Sequence, residues 1–470
     1  MAAIITTPFR VLNAENFKED VGTSSVYLGI GKSDVWSTNS SDLTDTIPFI
    51  PGDHQDDING AWSQMLALKR ITASDISHVV PRYDYADGES YVAWDSSDPD
   101  IYDEKFYVLT SAFKVYKCIQ KGPGNTSVEP THTSAAILPN RTDAASGDGY
   151  RWKYLYTLTT SDSEKFLTKS FMPVKTLAMA PALSSTDVNK PQQDSQIASR
   201  DLATAAGIER LVIVNGGSNY DASDNFTITI EGDGTGAAAV DAGVTVVNGA
   251  ITAIAMNAEG TDYTKAKVTV THDNNSGGTA GSGCEVRAVL APSAGHGVDP
   301  VKELGAFFTS INIQLDGNDG SDFTTGNDFR QITLVKNPYS TGTTVATATT
   351  LKANKYLQLA DGASTSGFVV DQVIQGGSGA TLAKAYLTEI DSDNKRLYYY
   401  QNEKTGFKPF LNSMTITGTL PSGGSAALAT SHIGAAEVVA GSGQVIFLEN
   451  RDPISRSTTQ IEDIKCIVEF

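Results

Sequence analysis

Alternation of apolar positions closes the chain. Ile464, Cys466, Val468 and Phe470 are apolar, with Lys465 and Glu469 between them, the two-residue period of a half-buried strand. Core pattern therefore runs to the final residue, where polar tail is the usual finding. It predicts a strand that closes a sheet begun far upstream. Before it, Gly443 opens a second apolar run, and Glu449-Asn450-Arg451-Asp452-Pro453 reads as the turn that reverses the chain into the last strand.

The first part of the chain mixes helix and strand signals. Asn13 to Asp20 starts on a good N-cap residue and predicts a short helix. Ser25 to Gly31 reads as a strand. From Asp57 to Arg70, Ile58, Ala61, Trp62, Met65 and Lys69 recur at helical spacing and predict an amphipathic helix. Phe106 to Gln120 holds two alternating runs, with Val115, Lys117 and Ile119 on one face and Tyr116 and Cys118 on the other. Asp148 opens a turn into an aromatic strand carrying Tyr150, Trp152, Tyr154 and Tyr156. Ser161 to Leu167 predicts one or two helical turns. Residues 180 to 207 are rich in Ala, Ser, Asp and Gln and read as a linker or exposed loop.

From Ile208 to Pro292 the chain becomes Gly-rich β, and an internal repeat emerges. Gly217-Ser-Asn-Tyr220 matches Gly260-Thr-Asp-Tyr263; each is followed by an alternating strand and then a Gly/Ala patch. Two copies are too few for a solenoid, so a small two-fold β module inserted as a unit is predicted. Val301 to Pro338 returns to the style of the opening region, and a second β insertion follows. The resulting plan is α+β, mostly β: a discontinuous β-sandwich-like core with a few short helices and two inserted Gly-rich β modules. Core pieces at 1–195, 301–339 and 431–470 flank insertions at 196–300 and 340–430.

Composition narrows the function. At 470 residues the chain exceeds one ordinary core. Lys and Arg number 35 against 54 Asp and Glu, for a net charge of -19. A duplex binder needs cations for phosphates, so nucleic-acid binding is excluded. No apolar run approaches the roughly 20 residues that span a bilayer, and no basic, then apolar leader opens the sequence. Cys118, Cys284 and Cys466 are few and far apart, which argues against a disulfide framework and against cysteine-bound zinc. Folding in a reducing cytoplasm is expected.

Candidate chemistry is thin. Asp53-His54-Gln-Asp56-Asp57 could hold a hard metal, but it sits where acidic residues cap a helix. The glycines of Gly232–Gly236 and Gly281–Gly283 lack the Lys-Ser/Thr and the strand-to-helix context of a phosphate loop. His296 and Asp299 lie beside glycines, yet a dyad needs a nucleophile or second base; a buried, hydrogen-bonded histidine is the better reading. The Tyr/Trp run from Tyr150 to Tyr156 would suit a sugar- or base-stacking platform, although Leu155 on the other register points to burial on both faces.

Seven segments together resemble one family, the small β-rich baseplate wedge subunit of T-even-type contractile-tailed bacteriophages. They are Val26-Tyr-Leu-Gly-Ile-Gly-Lys-Ser-Asp-Val-Trp36; Trp62 on its helix; Val79-Val-Pro-Arg82-Tyr-Asp84; Val115-Tyr-Lys-Cys118; Gly147-Asp-Gly-Tyr150-Arg-Trp152-Lys-Tyr-Leu-Tyr156; Phe329-Arg330-Gln-Ile-Thr-Leu-Val-Lys-Asn-Pro338; and Gly443-Gln-Val-Ile-Phe-Leu-Glu-Asn450-Arg451-Asp-Pro453-Ile with the Phe-ended strand. The resemblance covers about residues 5–178, 301–338 and 431–470, and leaves both insertions outside. It implies a non-enzymatic virion protein of the tail baseplate, a homodimer, partnered with other wedge proteins and assembled in the host cytoplasm.

No cofactor, metal, small-molecule substrate, nucleic acid or membrane is implied. Tyr, Trp and Arg anchor permanent interfaces, so Trp36, Trp62, Arg82, Tyr150, Trp152, Arg330, Asn450 and Arg451 are the candidate structural or interface anchors. The alternative is a carbohydrate-binding or adhesin tail protein that meets the host surface, motivated by the Gly-rich repeats and the aromatic run.

Overall fold

The aromatic strand predicted after Asp148 is Arg151–Thr157, and it lies inside an antiparallel sheet ordered Tyr107–Leu109, Lys114–Gln120, Arg151–Thr157, Leu138–Pro139. The computed structural model describes residues 4–37, 44–139, 148–202, 207–275, 277–292, 294–412, 414–419 and 424–470; Gly147 of the aromatic motif falls outside them. The protein is mostly β, with five α-helices among the described residues. It divides into two units: Met1–Glu15 with Ser77–Thr309 and Val468–Phe470, and Asn16–Ile76 with Ser310–Ile467.

In the first unit that sheet is buried on both faces. Val115, Ile119 and Leu155 join a core with Trp94, Phe106, Val301 and Phe307. Tyr116, Cys118, Tyr150, Trp152 and Tyr154 pack with Tyr91 on the other side. Tyr156 departs from the expected alternation and sits in the first cluster. The register explains it: Val115 pairs with Tyr156 and Tyr116 with Tyr154, so a bulge inserts one residue and turns Tyr156 over.

The Gly-rich stretch forms three antiparallel pairs: Ile208–Ser218 with Ser282–Leu290, Phe226–Gly232 with Ala266–His272, and Thr235–Val247 with Ala250–Thr261. Asn248 and Gly249 both hold positive φ, 52° and 81°, as a two-residue hairpin turn of matching twist requires. The two Gly-x-x-Tyr copies take one conformation. Gly217 and Gly260 have φ of 68° and 69°, Asn219 and Asp262 of 62° and 60°, and Tyr220 and Tyr263 are each buried at the centre of a small cluster.

The second unit is built on a five-stranded antiparallel sheet ordered Thr350–Lys352, Met65–Ile71, Val26–Gly31, Asp328–Lys336, Gln444–Ser455. Val26, Leu28 and Ile30 face one cluster with Leu66, Ile332, Leu334 and Ile464. Tyr27 faces another with Trp62, Leu68 and Val335. Six further strands, Lys355–Leu359, Val373–Gly376, Ala383–Asp391, Arg396–Tyr400, Thr415–Gly418 and Ser425–Gly434, close into a barrel. Its interior is filled by Leu357, Ile374, Leu387, Leu397, Phe410 and Ile416, a packed core of the kind small barrels form.

Four sequence expectations change. The first helix is longer than Asn13 to Asp20, running Thr7–Thr23. The predicted helix from Asp57 stops at Gln64, and Met65–Ile71 is strand; Met-Leu-Ala-Leu fits either period until the central sheet takes it. Residues 190 to 202 of the supposed linker form the helix Lys190–Leu202, whose Gln192, Gln193 and Gln196 are buried. Finally, Glu449 to Pro453 is no turn. It lies within the strand Gln444–Ser455, where the register jumps between Gln331↔Asn450 and Phe329↔Ile454. This is the edge strand of its sheet, a position that tolerates the missing proline N–H. The chain reverses after Ser455 and enters Ile461–Glu469, where Ile464 and Cys466 are buried as the alternation predicted.

Candidate functional site

A cleft of about 690 Å³ opens in the second unit. One wall comes from the core: Trp36 after the Val26–Gly31 strand, the helix Gln55–Gln64, Gln331, Leu448 and Asn450. The other comes from the loop that follows Arg396–Tyr400 and carries Asn402, Glu403, Lys404 and Phe407. His54 caps the helix by accepting the Asp57 N–H, and Asp56 and Asp57 occupy its first turn, where the helix dipole favours carboxylates. Among the described residues no group of three or more His, Cys, Asp or Glu side chains could hold a metal ion.

The floor is tied down by Asp34. Its carboxylate takes Lys32 at 3.2 Å and Lys404 at 2.8 Å, and accepts the Tyr400 hydroxyl at 2.9 Å. Burial alone would raise this carboxyl, but the two ammonium groups outweigh it and hold it below its ordinary range. Lys32 also donates to Gln64 Oε1 at 3.2 Å. Both cleft cations are thereby engaged.

Beside the floor, Arg330 is almost fully buried and grips Asp45 through two bonds of 2.8 Å, with Asp328 at 2.9 Å and the Ser33 carbonyl as further acceptors. Asp45 in turn accepts the Trp36 main-chain N–H at 3.1 Å. The Trp36 ring stands edge-on to Phe49, 5.3 Å between centroids. Asn450 completes the arrangement: Gln331 Nε2 donates to Asn450 Oδ1 at 2.7 Å, and Asn450 Nδ2 donates to the Phe49 carbonyl at 3.0 Å.

Four of the eight candidate anchors read from the sequence meet here: Trp36, Arg330 and Asn450 by their side chains, and Arg451 through its main-chain carbonyl, which accepts the Trp36 indole N–H at 2.8 Å. Trp62 lies on the same helix as Asp56 but points into the core with Tyr27 and Leu68. Tyr150 and Trp152 are fully buried in the first unit, their rings stacked at 5.8 Å and 14°, so they offer no exposed stacking platform. Arg82 bonds Asp84 at 2.7 Å and the Thr168 carbonyl at 2.9 Å, and does not line the cleft.

Sequence reading missed a buried charge cluster in the first unit. Lys117, 0 % exposed, pairs with Glu303 at 3.1 Å, lies 3.8 Å over the Trp94 ring, and donates to His296 Nδ1 at 2.8 Å. An ammonium can only donate, so His296 carries its proton on Nε2, facing Glu209. Burial pushes the Glu303 carboxyl up, yet the Lys117 ammonium prevails and it is held at about 2. Lys153, bonded to Ser199 at 2.8 Å, is brought down to about 8 by burial. Asp299 does not pair with His296; it caps the helix Pro300–Glu303. The clue was Lys117 in the middle of an apolar strand face. At the chain end, Arg10 donates to the Phe470 carbonyl and lies 3.5 Å over the Phe307 ring, while Phe470 N–H bonds the Phe307 carbonyl at 3.1 Å.

Two comparisons with known proteins bear on these elements. Residues 3–143 match the family described as Bacteriophage T4, Gp8. The chain is also 23% identical over 205 residues to the baseplate wedge protein gp8 of Enterobacteria phage T4, a stretch covering 37% of this chain. That stretch spans 60% of the phage T4 protein's length.

Proposed function

From this likeness to the phage T4 wedge protein, we propose that the chain is a structural component of a phage tail baseplate wedge. It joins neighbouring wedge subunits during tail assembly and holds the baseplate before contraction. It works as a homodimer with other wedge proteins as partners, is assembled in the host cytoplasm and resides in the virion tail. The match over residues 3–143 carries the reading, because it includes the Trp36, Trp62 and Arg82 segments on which the sequence resemblance was built.

The side-chain chemistry supports a scaffolding role. Arg330, Lys117, Asp34 and Glu303 spend their charges on internal partners, and buried charge networks of this kind rigidify a fold. A rigid subunit loses little conformational entropy when it assembles.

Size-exclusion chromatography with light scattering tests this. The purified chain is expected to elute at the mass of a dimer. With co-expressed tail proteins of the same phage it is expected to shift into a larger, stoichiometric complex. A persistent monomer that joins none of them overturns the reading, as does polysaccharide cleavage abolished by substituting one carboxylate.

A further inference from the structure

We propose that the cleft beside Trp36 is a docking site for an extended, Lys- or Arg-bearing segment of a neighbouring tail protein. This rests on the wedge reading above and names the surface through which one partner is held.

Charge comes first. Of the ionic groups at the cleft, Lys32 and Lys404 are consumed by Asp34, whereas Asp56, Asp57 and Glu403 have no Lys or Arg partner among the described residues. His54 approaches Asp57 at 3.5 Å from the exposed side. The cleft is thus net negative by two charges and asks for a cation.

Hydrogen bonding points the same way. Gln331 is 6 % exposed, and its Oε1 has no partner. Its orientation is fixed from outside: the Phe49 carbonyl can only accept, so Asn450 Nδ2 donates to it. Asn450 Oδ1 must then accept from Gln331 Nε2. Gln331 lines the cleft and is left with Oε1 as a buried acceptor lacking a donor. A buried acceptor without a donor costs about 1–3 kcal/mol, and a guest supplying N–H groups would relieve that. Peptide N–H, ammonium and guanidinium all qualify.

The rim adds an apolar contribution. Phe407 is 62 % exposed, and Phe49 is flanked by Ile47 and Ile50 at 92 % and 91 %. Large side chains held this far into water next to a concave, acceptor-lined surface mark an interaction site. A segment that places an apolar residue on Phe49 and Phe407 and a cation among Asp56, Asp57 and Glu403 satisfies every open group. A second copy of this chain, itself strongly acidic, is the poorer electrostatic fit.

Photocrosslinking in the co-expressed assembly tests this. A benzoylphenylalanine replacing exposed Phe407 is expected to give, on irradiation, an adduct with one other tail protein through a peptide containing Lys or Arg. Glu403→Gln with Asp56→Asn should lower adduct yield at least tenfold, while the chain's circular dichroism spectrum stays that of the folded parent. An adduct between two copies of this chain, no adduct in an intact assembly, or a yield indifferent to neutralisation overturns the docking site and leaves the wedge reading standing. Failure of the chain to join any tail protein overturns both.

Discussion

The indole N–H of Trp36 donates to the main-chain carbonyl of Arg451 at 2.8 Å, across 415 residues of chain. Arg451 therefore meets Trp36 by its backbone and not by its charge. Its guanidinium is 41 % exposed, with Glu449 at 3.8 Å as the nearest carboxylate, a surface pair worth little. Trp36→Phe should keep the ring on Phe49 but orphan that carbonyl, at a cost of about 1–2 kcal/mol. Arg451→Ala should stay within about 0.5 kcal/mol of the parent. Urea unfolding followed by tryptophan fluorescence, with circular dichroism for the Trp36 variant, checks both. Equal losses for the two variants would contradict the assignment.

Arg330 and Asp45 make a stronger pair, because the fork of a guanidinium meets both carboxylate oxygens at 2.8 Å. Lysine would keep the charge and lose the second bond. Arg330→Lys is expected to destabilise by about 2 kcal/mol, and Arg330→Met, which leaves Asp45 and Asp328 without their cation, by about 3–5 kcal/mol. The Asp45 carboxyl is held below its ordinary range, first by its bonds to Arg330. Its contribution is complete above that range and fades as pH falls through the lowered value. The gap between parent and Arg330→Met should therefore narrow in acid when denaturant midpoints are compared.

The parts of this fold that were legible in the sequence are those where one local period decides the outcome. Ile464 and Cys466 alternate and are buried as alternation demands. Val115 and Ile119 separate from Tyr116 and Cys118 as expected. Where tertiary context decides, the pattern misleads. Met65 to Ile71 obeys helical spacing but is claimed by a sheet whose other strands lie up to some 390 residues away. The polar helix Lys190–Leu202 buries amides, which hydropathy scores as surface: Gln196 donates to the Val298 carbonyl at 2.9 Å. The site followed the same rule. Trp36 and Asn450 could be nominated as residue types, but the acceptor left open on Gln331 exists only once Asn450 and the Phe49 carbonyl are brought together.

Gly217 and Gly260 carry a different kind of prediction. Both sit in the left-handed region, where a side chain is strained. A Cβ at Gly217 would strike the Ser282 carbonyl and the Tyr220 ring, and one at Gly260 the Ala237 N–H and the Tyr263 ring. Alanine at either position should cost more than about 1 kcal/mol and should expose the neighbouring tyrosine. Alanine at Gly277, also at positive φ but with nothing nearby, should cost about 1 kcal/mol or less, the backbone term by itself. Differential scanning calorimetry on the three variants separates strain from collision.

The buried cluster around Lys117 predicts how the first unit responds to pH. Glu303 titrates at about 2 in the folded chain against 4.5 as its reference. Its folded value is depressed, so its stabilisation is whole above pH 4.5 and is lost as pH falls from there to about 2. A shift of this size corresponds to roughly 3 kcal/mol. Lys153 works in the opposite limb. Its folded value is about 8 against 10.5, so between those values the unfolded chain binds a proton that the folded chain does not. Stability attributable to Lys153 therefore rises as pH climbs from about 8 to 10.5. Lys153→Met should abolish that alkaline gain and raise stability at pH 7, since the methionine carries no charge to desolvate. Lys117→Met should do the reverse, leaving Glu303 buried without its cation at a cost of about 3–5 kcal/mol, and Glu303→Gln in the same chain should recover part of it. Guanidinium unfolding across pH 3 to 10 on these three variants and on Glu303→Gln alone reads all of these slopes. An acid limb unchanged in Glu303→Gln would show that the Lys117 pair contributes nothing to stability.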